Sequence, residues 1–384
     1  MNKIDKPYME ELEKLSVLGN LRHLPEVEHQ GKWIIEGGRR MLNLSSNDYL
    51  GLGTDEGLRK EFMEGLTPEN CLFSSSSSRL LTGNYAVYGQ LEHLLATLFG
   101  AESALVFNSG YHMNLGILPA ITNNRTLILA DKLVHASIID GIRLSPAQCT
   151  RYRHQDYDQL AALLERYKND YERIIIVTES VFSMDGDVAP LSMLVAMKKR
   201  YPHVMLYVDE AHAIGVRGVK GLGVAEEQDC IDGIDFLCGT FGKAIASVGA
   251  YVVCRKVLRE YLINKMRPLI FSTALPPVNV AWTKFVMERL ADFTDRRHTL
   301  AKLSAQLREA ILRKYGDCCS DSQIVPMIVG ASQDTVLRAE DMRRKGFYVL
   351  PVRPPTVPEG TSRLRFSLTA TITEAEMKHL LECI

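Results

Sequence analysis

Between about residue 100 and residue 255, short runs of β-branched and apolar residues alternate with segments of helical pattern. The runs are ALVFNSG (104–110), TLILAD (126–131), RIIIVTES (173–180), VMLYVDE (204–210), FLCGT (236–240) and GAYVVC (249–254), with helical stretches such as 155–170 and 190–201 between them. A strand that is apolar on both faces must be covered on both, and crossover helices supply that cover in a mostly parallel sheet. The pattern predicts an α/β domain of doubly wound type. From about residue 281 the pattern changes to a long helical stretch (280–315) followed by a smaller α+β region. That region holds QIVPMIVG (323–330), a helix around 335–346, YVLPV (348–352) and RLRFSLTA (363–370). At 384 residues the chain exceeds one simple core. The expected division is an N-terminal arm (1–45), a large domain (46–280) and a small C-terminal domain (281–384).

Composition excludes several classes of function. A net charge of −1 with 24% charged residues gives no electrostatic reason to expect nucleic acid or an anionic membrane as partner. No apolar stretch approaches the roughly 20 residues of a membrane span. The N-terminal MNKIDKPYMEELEKL is charged and helix-patterned, unlike a signal peptide. The eight cysteines are scattered, apart from the adjacent Cys318 and Cys319, without CxxC spacing. They form neither a metal site nor a disulfide framework, which agrees with a reduced cytoplasm. The chain lacks both GxxxxGK[ST] and a GxGxxG opening a βαβ unit, so P-loop and dinucleotide readings have no support.

In parallel α/β sheets ligands collect at the carboxyl ends of the strands, and here the polar residues lie there. Asn108, Ser109 and Gly110 follow one run and Asp131 ends the next; Glu179 with Ser183, Asp209 with His212, and Thr240 with Lys243 continue the series. Asp209 and Lys243, 34 positions apart, match what pyridoxal phosphate (PLP) asks of a protein. An acid keeps the ring nitrogen protonated so that the ring accepts electrons, and a lysine amine carries the aldehyde. Thr240 offers a hydroxyl to the phosphate or to the ring hydroxyl. The NSGYHMN segment (108–114) suits an anion-binding turn at a helix N-terminus, through Ser109 and Gly110, with Tyr111 placed to cover the ring. His212, three residues after Asp209, can reach the same ligand, and the planar His135 ring can stack on it. In PPTVPEGTSRLRFSLTA (354–370), Arg363 and Arg365 alternate on one strand face, where one of them can clamp a carboxylate.

Taken together these segments resemble the α-oxoamine synthase family of PLP enzymes over nearly the whole chain. The matching pieces occur in family order: NLSSNDYLGL (43–52), SSRLLTGN (77–84), LEHLLATLFGAESALVFNSGYHMN (91–114), HASIIDG (135–141), ESVFSMDGDVAPL (179–191), VDEAHAIGVRG (208–218), GTFGKA (239–244), FSTALPP (271–277) and SRLRFSLTA (362–370). The resemblance implies the aspartate-aminotransferase-like fold type I, built as a homodimer with active sites at the subunit interface. It implies Lys243 as the PLP lysine, Asp209 against the pyridine nitrogen, His135 stacked on the ring and His212 on the ring hydroxyl. Ser109, Gly110, Tyr111, Ser183 and Thr240 would hold the cofactor, with Thr273 reaching the phosphate from the neighbouring subunit. Arg365 with Asn47 would bind an amino-acid carboxylate, Arg22 is a candidate for the acyl substrate, and Thr356 belongs to the substrate-side wording nine residues before Arg365. The expected reaction is decarboxylative condensation of L-alanine with a pimeloyl thioester, on CoA or acyl carrier protein, in the biotin pathway. The alternatives are glycine with acetyl-CoA, or the chemistry of a soluble serine palmitoyltransferase. The chain departs from the family's usual wording at the SSSSS run (74–78) and at Tyr85, Ala213 and Ala246.

Overall fold

The structure, a computed structural model, describes residues 3–384; Met1 and Asn2 of the expected arm lie outside the described residues. The chain forms two compact units. The first comprises Met1–Thr54, Met184–Asp187 and His298–Ile384, and the second Asp55–Ser183 and Val188–Arg297.

In the first unit a helix over Lys6–Val17, with no buried residue, precedes three antiparallel strands, β1 (Glu28–Gln30), β2 (Trp33–Glu36) and β3 (Arg39–Asn43).

The second unit is organised by a seven-stranded sheet. Its strands are β4 (Ser103–Phe107), β5 (Thr126–Asp131), β6 (Gln148–Tyr152), β7 (Arg173–Glu179), β8 (Val204–Asp209), β9 (Phe236–Thr240) and β10 (Ala250–Cys254), in the order β4-β10-β9-β8-β7-β5-β6. Only β10 runs against its neighbours. The expected α/β class is therefore what the chain folds into, with one reversed strand in a parallel sheet. The strand interiors are apolar on both faces, and Leu105, Ile128, Ile175, Tyr207 and Val252 join buried residues of the covering helices, such as Ile117, in one core. At the β9–β10 pair Gly239 lies opposite Tyr251, where an added Cβ would come within 2.5 Å of the Tyr251 ring. A strand glycine here makes room for the neighbouring aromatic.

Returning to the first unit, β11 (Ile324–Gly330), β14 (Ser362–Ser367) and β13 (Pro351–Val352) form a three-stranded antiparallel sheet, while β12 (Phe347–Tyr348) pairs in parallel with β3.

Three elements differ from the sequence expectation. β6 has no apolar run: in QCTRY only Tyr152 is buried. It pairs with β5 alone as an edge strand, and an edge tolerates polar residues. The 280–315 stretch is two helices, Pro277–Glu288 and Thr294–Tyr315, separated by a 3₁₀ turn at Leu290–Phe293. Leu290 and Phe293 are buried at that break, and the Arg297 guanidinium donates to the Leu290 and Ala291 carbonyls (2.8 and 3.3 Å) that the interruption frees. YVLPV is not one strand, because its halves join different sheets.

Candidate active site

The carboxyl ends of β4, β5, β7, β8 and β9 lie along one edge of the seven-stranded sheet. In parallel neighbours the register places Glu179 beside Asp209 and Asp209 beside Cys238. Most of the strand-end residues in this series are buried: Asp209 is 5% exposed, His212 4%, Glu179 3% and Thr240 8%. A parallel sheet leaves its last residues pointing out of the main-chain ladder while the helices on both faces exclude water.

Lys243 follows β9, and its Nζ lies 2.8 Å from Nε2 of His212, in the turn after β8. Asp209 ends β8 with both oxygens held: Ala211 N–H donates to Oδ1 and Asn114 Nδ2 donates to Oδ2, each at 2.9 Å. Next to it, loss of hydration in the interior drives the Glu179 carboxyl well above the usual carboxylate range, and the Asp209 charge pushes the same way.

After β4, Ser109 caps the helix Gly110–Ile121, its hydroxyl accepting from His112 N–H. The Gly110 and Tyr111 amides of this first turn form a ready anion site. The Tyr111 ring is exposed and its hydroxyl donates to Asp140. The Thr240 hydroxyl donates to Gly249 O at 2.9 Å and accepts from Gly242 N–H. Ser183 is buried just past β7. His135 caps the helix Ala136–Leu144, with Nδ1 accepting from Ser137 N–H. Desolvation holds its pKa below the ordinary imidazole value, against the pull of Asp209. The exposed Thr273 offers its carbonyl to Asn108 Nδ2 at 2.6 Å. Asp131, by contrast, belongs to a turn: it accepts from Leu133 and Gln155 N–H and faces His154 Nδ1.

The four expected substrate residues lie within the first unit as two pairs. Arg365 on β14 reaches Asn47 Oδ1 (3.4 Å), Tyr49 OH (3.5 Å) and Ser367 Oγ (2.6 Å). Arg22 donates to Thr356 Oγ1 (3.2 Å) and to the Pro354 carbonyl (3.2 Å). Arg363, the other arginine of that strand, is only 5% exposed and paired with Asp185.

Sequence reasoning missed two buried groups. Asn114 ties into Asp209 from the helix that Ser109 caps. The Glu210 carboxylate accepts from Ser180 OH, Val224 N–H and Ala225 N–H and thereby holds the start of a short helix. Asn114 carried a signal, since it is a polar residue at a position that helical spacing assigns to the apolar face between Met113 and Ile117.

The donor set fits PLP: a buried carboxylate for a ring nitrogen, an amine on a partner imidazole, and a capped helix N-terminus for a phosphate. Comparison with known proteins agrees. The family model for aminotransferase class I and II matches residues 39–384. The 8-amino-7-oxononanoate synthase of Haemophilus ducreyi is 57% identical over 384 residues, covering 98% of this chain and 99% of its own length. Among solved structures, a serine palmitoyltransferase variant of S. paucimobilis with bound PLP and myriocin superposes at a TM-score of 0.88 with 29% identity, covering 100% of this chain and 97% of that one. The Francisella tularensis 8-amino-7-oxononanoate synthase superposes at 0.77 with 28% identity, covering 89% and 96%. A sheet edge of this construction, matched along the whole chain, has one reading: the protein belongs to the class I and II aminotransferase family and is a PLP-dependent acyltransferase of the α-oxoamine synthase type.

Proposed function

We propose that the chain condenses L-alanine with a pimeloyl thioester, carried by CoA or acyl carrier protein, and releases carbon dioxide, the free carrier thiol and 8-amino-7-oxononanoate for biotin biosynthesis. The observation that carries this reading is the 57% identity, over 98% of the chain, to a protein named for that product. Bound PLP supplies an electron sink that stabilises negative charge at the amino-acid α-carbon.

The chain's own residues supply the rest. The Asp209 carboxylate, fixed by Ala211 and Asn114, favours a protonated ring nitrogen beside it. The Lys243 amine, 2.8 Å from His212, is the base for the α-proton, and His212 orients it. Ser109, Gly110 and Thr240, with Thr273 of a second copy, take the phosphate. Tyr111, Ser183 and His135 flank the ring. Arg365 with Asn47 receives the amino-acid carboxylate through charge-assisted hydrogen bonds, and Arg22 with Thr356 contacts the acyl donor. The reading places the enzyme in the cytoplasm as a homodimer. Among the described residues no helix is long and apolar enough to cross a membrane.

The deciding experiment assays purified protein with alanine or glycine against pimeloyl-CoA or acetyl-CoA, following thiol release and product mass. Turnover is expected only with alanine and the pimeloyl thioester. Preferential use of glycine with acetyl-CoA would overturn the assignment in favour of the acetyltransferase alternative.

A further inference from the structure

We propose that Asn114 is a positioning residue whose amide locks the Asp209 carboxylate and, through Ser137, the His135 ring into one fixed arrangement. The inference rests on the roles proposed above for Asp209 and His135.

Asn114 is 1% exposed on the buried face of the Gly110–Ile121 helix. A buried amide is costly unless its hydrogen bonds are made, and all of those recorded here lead to or from the site. Nδ2 donates to Asp209 Oδ2 and to Ser137 Oγ, both at 2.9 Å. Tyr207 OH lies 2.5 Å from Oδ1. The amide nitrogen can only donate and the amide oxygen can only accept, so the nitrogen faces the Asp209 oxygen and the oxygen faces Tyr207. Tyr207 is then the donor, consistent with burial raising its pKa far above the usual phenol value.

The second arm fixes a tautomer. Ser137 Oγ accepts from Asn114 and lies 2.8 Å from His135 Nδ1, which also accepts from Ser137 N–H at 3.2 Å. Nδ1 therefore carries no proton, and the neutral ring holds its proton on Nε2. The relay is possible because the two helices approach closely: a Cβ on Gly141 would collide with the Asn114 carbonyl. The Tyr207–Asn114–Asp209 and Asn114–Ser137–His135 branches thus meet at one side chain. One amide thus holds the acid directly and the ring through the Ser137 hydroxyl, while the Ser137 N–H sets which ring nitrogen is bare. Around metal sites, outer-shell partners that orient the ligands change affinity or activity by about 10–100-fold, and an effect of the same order is expected for this side chain.

The test titrates PLP into the PLP-free protein and reads histidine ring protonation by 15N NMR in that same form. Asn114→Leu, which preserves volume, is expected to weaken PLP binding by about tenfold or more. Ser137→Ala, which removes the hydroxyl arm of the His135 branch but keeps the residue-137 N–H that faces Nδ1, should weaken it less and should leave His135 Nδ1 bare. Tyr207→Phe, which frees the amide to turn, should fall between them, and with Ser137→Ala it decides the matter if Asn114→Leu does not fold. Unchanged PLP affinity in all three variants overturns the proposal, as does a proton on His135 Nδ1 in the unmodified protein. Asp209→Ala separates the two layers: undiminished PLP affinity there refutes the role of Asp209 itself, whereas loss in Asp209→Ala with none in Asn114→Leu refutes only the relay.

Discussion

The carboxyl edge of the seven-stranded sheet and the three-stranded sheet of the first unit both concentrate charged side chains, but they hold them differently. At the sheet edge Asp209, Glu179 and His212 are all nearly buried; a main-chain amide and the Asn114 side chain hold Asp209, and the Lys243 amine lies against His212. On β14 the charges are mid-strand arginines: Arg363 is paired with Asp185, and Arg365 is held by Asn47, Tyr49 and Ser367. Where strand ends do the positioning, a group can be kept in an unusual protonation state. Where side chains do it, the charge is matched by a partner. The first arrangement suits proton chemistry and the second suits gripping a carboxylate.

The largest expected effect breaks the first arrangement. Lys243→Ala should reduce turnover to background in a steady-state assay, because it removes the amine, 2.8 Å from His212, that is proposed as covalent anchor and base. The second arrangement is tested by Arg365→Ala, which should raise KM for the amino acid by roughly ten- to a hundredfold and change KM for the thioester much less. An equal fall in kcat with unchanged KM would contradict a gripping role. Arg363→Met sharpens the contrast between the two arginines. Losing the Asp185 pair should cost about 1–3 kcal/mol in denaturant unfolding with KM for the amino acid unaltered.

The smallest effect concerns Glu210. Burial pushes its carboxyl up to about 7, against about 4.5 for an ordinary glutamate. The folded state thus binds the proton more tightly than the unfolded chain. Its stabilising contribution is full below about pH 4.5 and is lost as pH rises through about 7. In Glu210→Gln the fall in melting temperature across that window should be shallower by a few degrees. A fall as steep as in the unmodified protein would show that Glu210 does not titrate there.

The six apolar runs of the large sheet were readable because a strand covered on both faces must be apolar throughout, and each appears within a few residues of its expected place. β6 was not readable, since an edge strand with one partner needs no apolar run. The break after Glu288 has no glycine or proline to announce it, and arises from burial of Leu290 and Phe293 with Arg297 folded back on the freed carbonyls. Nor does local sequence show that Met184–Asp187 belongs with the first unit. At the site, Lys243, Asp209 and His212 stood out by residue type at strand ends. Asn114 showed only as a polar residue on an apolar helix face, because its partner Asp209 is 95 positions away and local spacing does not name it.

The central claim is that Lys243 is the residue to which PLP is bound. Borohydride reduction of the PLP-loaded protein, followed by proteolysis and mass spectrometry of the peptides, tests it most directly. A pyridoxyl adduct on Lys243, absent when Lys243→Ala is treated in the same way, is the predicted result. An adduct on a different lysine, with Lys243 unmodified, would contradict it.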